Sequence, residues 1–151
     1  MHIDQHYREI IIQKLKEQGF VRSNTPVFDP DSTSEETDCL FFDADGDGDL
    51  DLYIACGGNE LSPSSSALAD RLYLNNGLGT FTKSRQILPA GHFESSGCVE
   101  AADYDGDGDL DLFVGIRLRP FLYGVPASGY LLENDGKGIF ASVAAEKAPG
   151  L

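Results

Sequence analysis

The sequence predicts an all-β chain assembled from four-stranded antiparallel units, on three observations. A nine-residue acidic run, Asp-Ala-Asp-Gly-Asp-Gly-Asp-Leu-Asp at Asp43 to Asp51, returns 60 residues later at Asp103 to Asp111 with Tyr104 in the place of Ala44. Short apolar runs lead into each copy, Cys39 to Phe42 and Val99 to Ala102. Others lead out of each, Leu-Asp-Leu-Tyr-Ile-Ala and Leu-Asp-Leu-Phe-Val-Gly, and end at Gly57 and Gly115. These runs are short, β-branched and aromatic, which favours strands. Finally, Leu72 to Phe81 aligns with Leu131 to Phe140 at a spacing of 59, each reading as strand, Gly-rich hairpin turn and strand.

In chain order, the first element is ambiguous. Ile10-Ile11-Ile12-Gln13 to Gly19-Phe20 forms a weaker third copy of the strand-turn-strand pattern, with Phe20 lying 61 residues before Phe81. Tyr7 to Gln18 is also rich in helix formers, but the repeat register and the Ile run favour a strand pair. Next comes the acidic loop. Five carboxylates within nine residues repel one another unless a cation sits among them, and alternate spacing lets the first, third and fifth converge. Hard oxygen donors in this number suit Ca²⁺, and two such loops predict two calcium sites. The side-chain ligands expected are Asp43, Asp45, Asp47 and Asp51, then Asp103, Asp105, Asp107 and Asp111. Asp49 and Asp109 would each offer a backbone carbonyl.

An EF-hand would need a bidentate Glu at loop position twelve and flanking helices. Ile54 and Val114 stand there instead, inside strand-like runs. Solvated acidic turns would explain one loop, but two full matches at one period point to a shared geometric demand. Whether the ions only hold the fold together stays open at this point.

A unit of four short strands in about 60 residues is β-propeller arithmetic, and it excludes shorter solenoid repeats and strand-helix alternation. Alternating strand direction puts both acidic loops and the turns at Asn76-Gly77 and Asp135-Gly136 on one face. The long connections Gly57 to Asp70 and Arg117 to Gly129, with Arg22 to Asp38 and Lys83 to Gly97, fall on the other. Long loops on a rigid scaffold commonly carry binding. Arg117, Arg119, Phe121, Tyr123 and Tyr130 are the most recognition-like set there, mixing cations with aromatic surface. Phe121 and Leu122 also fit a plug beneath their own loop, the reading favoured for Phe121 alone. Leu61 to Ala69, with its serines, reads as a flexible loop.

The loop followed by Leu52-Tyr53-Ile54-Ala55-Cys56-Gly57-Gly58 resembles the central segment of the FG-GAP or VCBS repeats of integrin-α-type propellers. Two copies cover Cys39 to Phe140. The resemblance implies a partial β-propeller with calcium loops, an extracellular or cell-surface setting, and adhesion or ligand binding. It divides the chain into 1–38, the end of a preceding blade plus a connection; 39–97, a first complete blade; and 98–151, a second blade with Phe140 to Leu151 leading towards a further one. A closed propeller has about four to eight blades. The chain is therefore expected to be a fragment of a larger propeller, or to complete its ring by self-association.

Ten of the 25 acidic residues lie in the two loops, so the formal charge of -14 is mostly local to them. It argues against nucleic acid and anionic membrane as partners, and no apolar stretch is long enough to insert into a membrane. Cys39, Cys56 and Cys98 lack metal-type spacing and read as buried core thiols. No nucleophile elbow, zinc motif or phosphate loop occurs; Gly91-His92-Phe93-Glu94 lacks a companion nucleophile, and His2 and His6 read as a solvated terminus. The favoured function is a noncatalytic, calcium-binding region that binds a protein or glycan. The alternative is an accessory region of a carbohydrate-active or lipid-active hydrolase.

Overall fold

The computed structural model describes residues 5–19, 25–89, 94–122 and 124–149. Among these residues, eight strands form two four-stranded antiparallel sheets, each with its strands in sequence order. The first holds β1 (Glu35–Phe42), β2 (Asp51–Gly57), β3 (Arg71–Asn75) and β4 (Phe81–Lys83). The second holds β5 (Ser95–Ala102), β6 (Asp111–Leu118), β7 (Gly129–Asn134) and β8 (Phe140–Ser142), followed by the short helix α2 (Ala144–Lys147). Each acidic run joins the first two strands of its sheet.

The register explains why the strands are apolar on alternate positions. Leu40, Tyr53 and Leu72 oppose one another across β1, β2 and β3. On the facing sheet, Ala101, Leu112 and Leu132 do the same across β5, β6 and β7. These two faces pack together, and Phe42, Tyr53, Ala55, Leu72, Val99, Leu112, Val114, Leu132 and Phe140 make one core. Leu88, from the connection between the sheets, completes it. Burying an aromatic or aliphatic side chain of this kind contributes roughly 2–3 kcal/mol before entropy is counted.

Polar stitches fix the two sheets relative to each other. Thr37 Oγ1 donates to the carbonyl of Ser96 at 2.9 Å, Val99 N donates to Asp38 Oδ2 at 3.1 Å, and Gly58 N donates to Ser95 Oγ at 3.0 Å. Gln86 spans the seam too, donating to the Gly138 carbonyl and accepting from Phe140 N. Beneath these lies Asp70, which accepts from Tyr53 OH, Ser96 Oγ and Cys56 N. Burial pushes its carboxyl up to about 7 against the pull of those three donors.

Three expectations are corrected. Gln5–Glu17 is a helix, α1, rather than a strand pair. Its residues after the Ile run are good helix formers, Gln13 Nε2 donates to Glu17 Oε1 one turn on, and Lys14 and Lys16 sit favourably in the last turn; Phe20 lies outside the described residues. Cys39 and Cys98 are exposed and only Cys56 is buried, because Cys39 and Cys98 project from the outward faces of their sheets. Leu61 to Ala69 is anchored rather than free, since Ser66–Leu68 forms a 3-10 turn whose Leu68 is fully buried. Another 3-10 turn, Pro26–Asp31, lies against the outer face of the first sheet, with Phe28 edge-on to Tyr73 at 4.7 Å and Asp31 accepting from Tyr73 OH and Lys83 Nζ.

Candidate metal centres and the opposite face

Both acidic loops fold on the same internal pattern. Asp43 curls back so that its Oδ1 accepts from Gly46 N at 2.8 Å and its Oδ2 from Gly48 N at 3.0 Å. Asp103 repeats the first of these with Gly106 N at 2.7 Å. Asp47 and Asp107 each accept from the amide two residues on, Asp49 N and Asp109 N. The loop glycines hold positive φ, 75° at Gly46 and 89° at Gly48, and this bends the chain round its own carboxylates.

The last aspartate of each loop closes it. Asp51 is fully buried, its Oδ2 accepting from Ala44 N at 2.8 Å and its Oδ1 from Asn75 N, at the end of β3, at 2.7 Å. Asp111 makes the equivalent pair with Tyr104 N and Asn134 N. Each loop is thereby tied to the hairpin that follows in its own sheet. The Asn76-Gly77 turn lies beside the first loop: a Cβ on Gly77 would stand 3.1 Å from Asp49 Oδ2, and Gly136 has the same relation to Asp109. Loops and turns share one face, as the strand order requires.

Within this frame Asp43, Asp45 and Asp47 bring carboxylate oxygens within 4.8 Å of one another, and Asp103, Asp105 and Asp111 do so in the second loop. The side chains of Asp49 and Asp109 turn towards the neighbouring hairpins. Asp45 Oδ1, Asp49 Oδ1 and Asp109 Oδ1 are buried without a hydrogen-bond partner. Desolvation first, and then repulsion from the neighbouring aspartates, raises the carboxyls of Asp45, Asp49 and Asp109. Desolvation also leads at Asp105. Converging oxygens, unpartnered lone pairs and carboxylates that resist ionisation are what a bound hard cation would relieve.

Residues 43–114 match the family of FG-GAP-like repeats. Neither the curated proteins nor the solved structures compared with the chain give a match. The FG-GAP-like stretch runs from the first aspartate of the first loop into β6, so it spans one full period of the repeat. Together with two four-stranded antiparallel sheets, it supports a β-propeller-type repeat region. No helix among the described residues is long and apolar enough to cross a membrane.

On the face opposite the FG-GAP-like loops, the recognition set divides. Arg119 and Tyr130 are occupied with each other's neighbour: Arg119 Nε lies 2.7 Å from Glu94 Oε1 as an ion pair, and Tyr130 OH donates to Glu94 Oε2 at 3.0 Å. Burial, followed by the Glu94 charge, pushes the Tyr130 phenol up to about 12. Glu94, which orients both, escapes a reading of the sequence because nothing local marks it as their partner. Phe121 and Leu122 do not plug their loop, being 67% and 53% exposed. Arg117 is exposed at the end of β6, and Tyr123 lies outside the described residues.

Arg117 borders an open cleft of about 1020 Å³ between the start of β1 and the ends of β2 and β6. Its walls carry Glu35, Glu36, Asn59, Glu60 and several hydroxyls. None of these acids stands out in the sequence, because the feature that groups them is the meeting of strand ends from two sheets.

Proposed function

We propose that this chain is a calcium-binding, noncatalytic β-propeller repeat region whose face opposite the acidic loops binds a protein or glycan ligand, within a secreted or cell-surface protein. The observation that carries the reading is the duplicated loop, in which three carboxylates converge at each of two sites with unpartnered oxygens beside them. Asp43, Asp45 and Asp47 are the core of one site, with Asp103, Asp105 and Asp111 in the other. Asp51 and Asp107 remain in the ligand sets, while Asp49 and Asp109 contribute carbonyls. A flexible shell of this size favours Ca²⁺ over Mg²⁺, which demands a tight octahedron and gives up water reluctantly. The ions have a mechanical consequence: each loop is bonded to its own hairpin, and Asn134 Nδ2 donates to the Ala44 carbonyl of the other sheet's loop at 2.9 Å. Ordering the first loop therefore also orders the seam between sheets and the strand ends beyond it.

Isothermal calorimetry on calcium-stripped protein tests the reading. Two calcium sites are expected, with Mg²⁺ a poor competitor. Heat for one site or none, with circular dichroism showing folded protein, would refute it.

A further inference from the structure

We propose that the cleft opposite the calcium loops takes a neutral oligosaccharide, with Phe121 as its stacking platform and Glu35, Glu60 and Arg117 as partners for its hydroxyls. This rests on the ligand-binding reading of that face and narrows it to one chemical class.

The cleft is large enough for more than a single ring, since its 1020 Å³ stands at the top of the roughly 300–1,000 Å³ range of small-molecule sites. Its charges are the informative part. Arg117 and the carboxylates of Glu35 and Glu60 line one cavity, yet none of the three side chains has an ion-pair or hydrogen-bond partner among the described residues. Glu35, Glu36 and Glu60 disfavour an anionic ligand, and Arg117 is a donor that a cationic one cannot use. A hydroxyl donates to a carboxylate and accepts from a guanidinium, so a neutral polyol satisfies both kinds of wall at once. Thr37 and Ser95, by contrast, are spent on joining the two sheets.

Phe121 supplies the apolar half of the recognition. It is 67% exposed and holds φ at 64°, a conformation costing a residue with a side chain about 1–2 kcal/mol. Its amide donates to Asn59 Oδ1 at 3.4 Å, and Asn59 lines the cleft, so the Phe121 backbone is held next to that lining. An aromatic kept in solvent by a strained backbone signals use rather than packing. The C–H face of a sugar ring is the surface that stacks on such a ring while its hydroxyls turn to the charged walls.

Saturation-transfer NMR and calorimetry on the full chain in calcium, with maltotetraose, cellotetraose, mannotriose and chitotriose as neutral probes, test this. A lysine-rich peptide and sialyllactose serve as charged controls. At least one neutral probe should bind, keep its affinity in about 0.5 M salt where exposed charge attraction is screened, and lose about tenfold on Phe121→Ala. Glu60→Gln should weaken it as well, with calcium binding unchanged in both variants. Binding by none of the four, an unaltered affinity in Phe121→Ala, or binding confined to a charged control would overturn the proposal. Calcium titration of the same samples tells that failure apart from a failure of the metal reading.

Discussion

Asp51 and Asp47 lie four residues apart in one acidic run, yet the structure gives them different work. Both oxygens of buried Asp51 satisfy backbone amides, whereas Asp47 is exposed and faces its neighbouring carboxylates. Asp51→Ala leaves two donors without partners and should cost about 3 kcal/mol even in EDTA, with a further loss in calcium from the ligand removed. Asp47→Ala should lower the melting temperature in calcium and leave the chelated protein nearly unaffected. Thermal unfolding in calcium and in EDTA separates them, and equal losses under both conditions for Asp47→Ala would mean that it is structural too. Asp70 offers a second test. Burial raises its carboxyl to about 7, so folding takes up a proton between the ordinary carboxylate value and 7. Its contribution to stability is therefore complete below the unfolded pKa and is lost as pH rises through about 7. The ¹³C shift of the Asp70 carboxyl should titrate with that midpoint; a midpoint near the ordinary value of about 4 would show that its three donors outweigh burial. The converging carboxylates of the acidic loops are legible in the sequence because their spacing decides which of them meet. Asp70 is not, because its partners Tyr53 and Ser96 come from other strands.

Among the elements, the hairpins joining β3 to β4 and β7 to β8 are readable in advance and α1 is not. Asn76 Oδ1 accepts from Leu78 N and Thr80 N, and Asp135 Oδ1 from Lys137 N and Ile139 N, so each turn is specified by its own first residue and the glycines after it. Local chemistry of that kind survives in the sequence as a motif. The Ile10 to Ile12 run carries no such marker, and a strand pair requires a partner that local pattern cannot supply. There helix propensity outweighs the repeat register. Gly77 couples turn to loop, since it holds φ 71° and any Cβ would press on Asp49. Gly77→Ala should cost about 1–2 kcal/mol from the backbone alone and weaken the first calcium site while sparing the second. Gly136→Ala should show the opposite site preference. Calorimetry resolving the two sites checks this, and equal weakening of both by either variant would argue that the turns do not report to individual loops.

For the whole molecule, the question is which outward sheet face can receive another body. The face of the first sheet that packs inward bears Leu40 and Leu74, whereas the same positions one repeat later, on the outward face of the second sheet, are Glu100 and Glu133. Helix α2 engages that outward face further, with Lys147 pairing Glu133 and standing over the Tyr104 ring. A copy of the internal interface cannot form there without burying two carboxylates. The outer face of the first sheet differs. The Pro26–Asp31 turn lies against its β3–β4 half, but across β1 and β2 it presents Phe41, 54% exposed, beside half-buried Leu52 and Ile54. These match in register Ala101, Leu112 and Val114, the residues the second sheet uses in the existing seam. Exposed apolar sheet surface with that pedigree favours association, so the purified chain should form concentration-dependent dimers through the first sheet. Light scattering coupled to size exclusion in calcium should show Phe41→Glu shifting the population to monomer, and Phe113→Glu, on the opposite outward face, leaving it unchanged. A monomer at all concentrations would mean that the Pro26–Asp31 turn suffices to close that face, and a dimer lost only in Phe113→Glu would place the contact on the charged side.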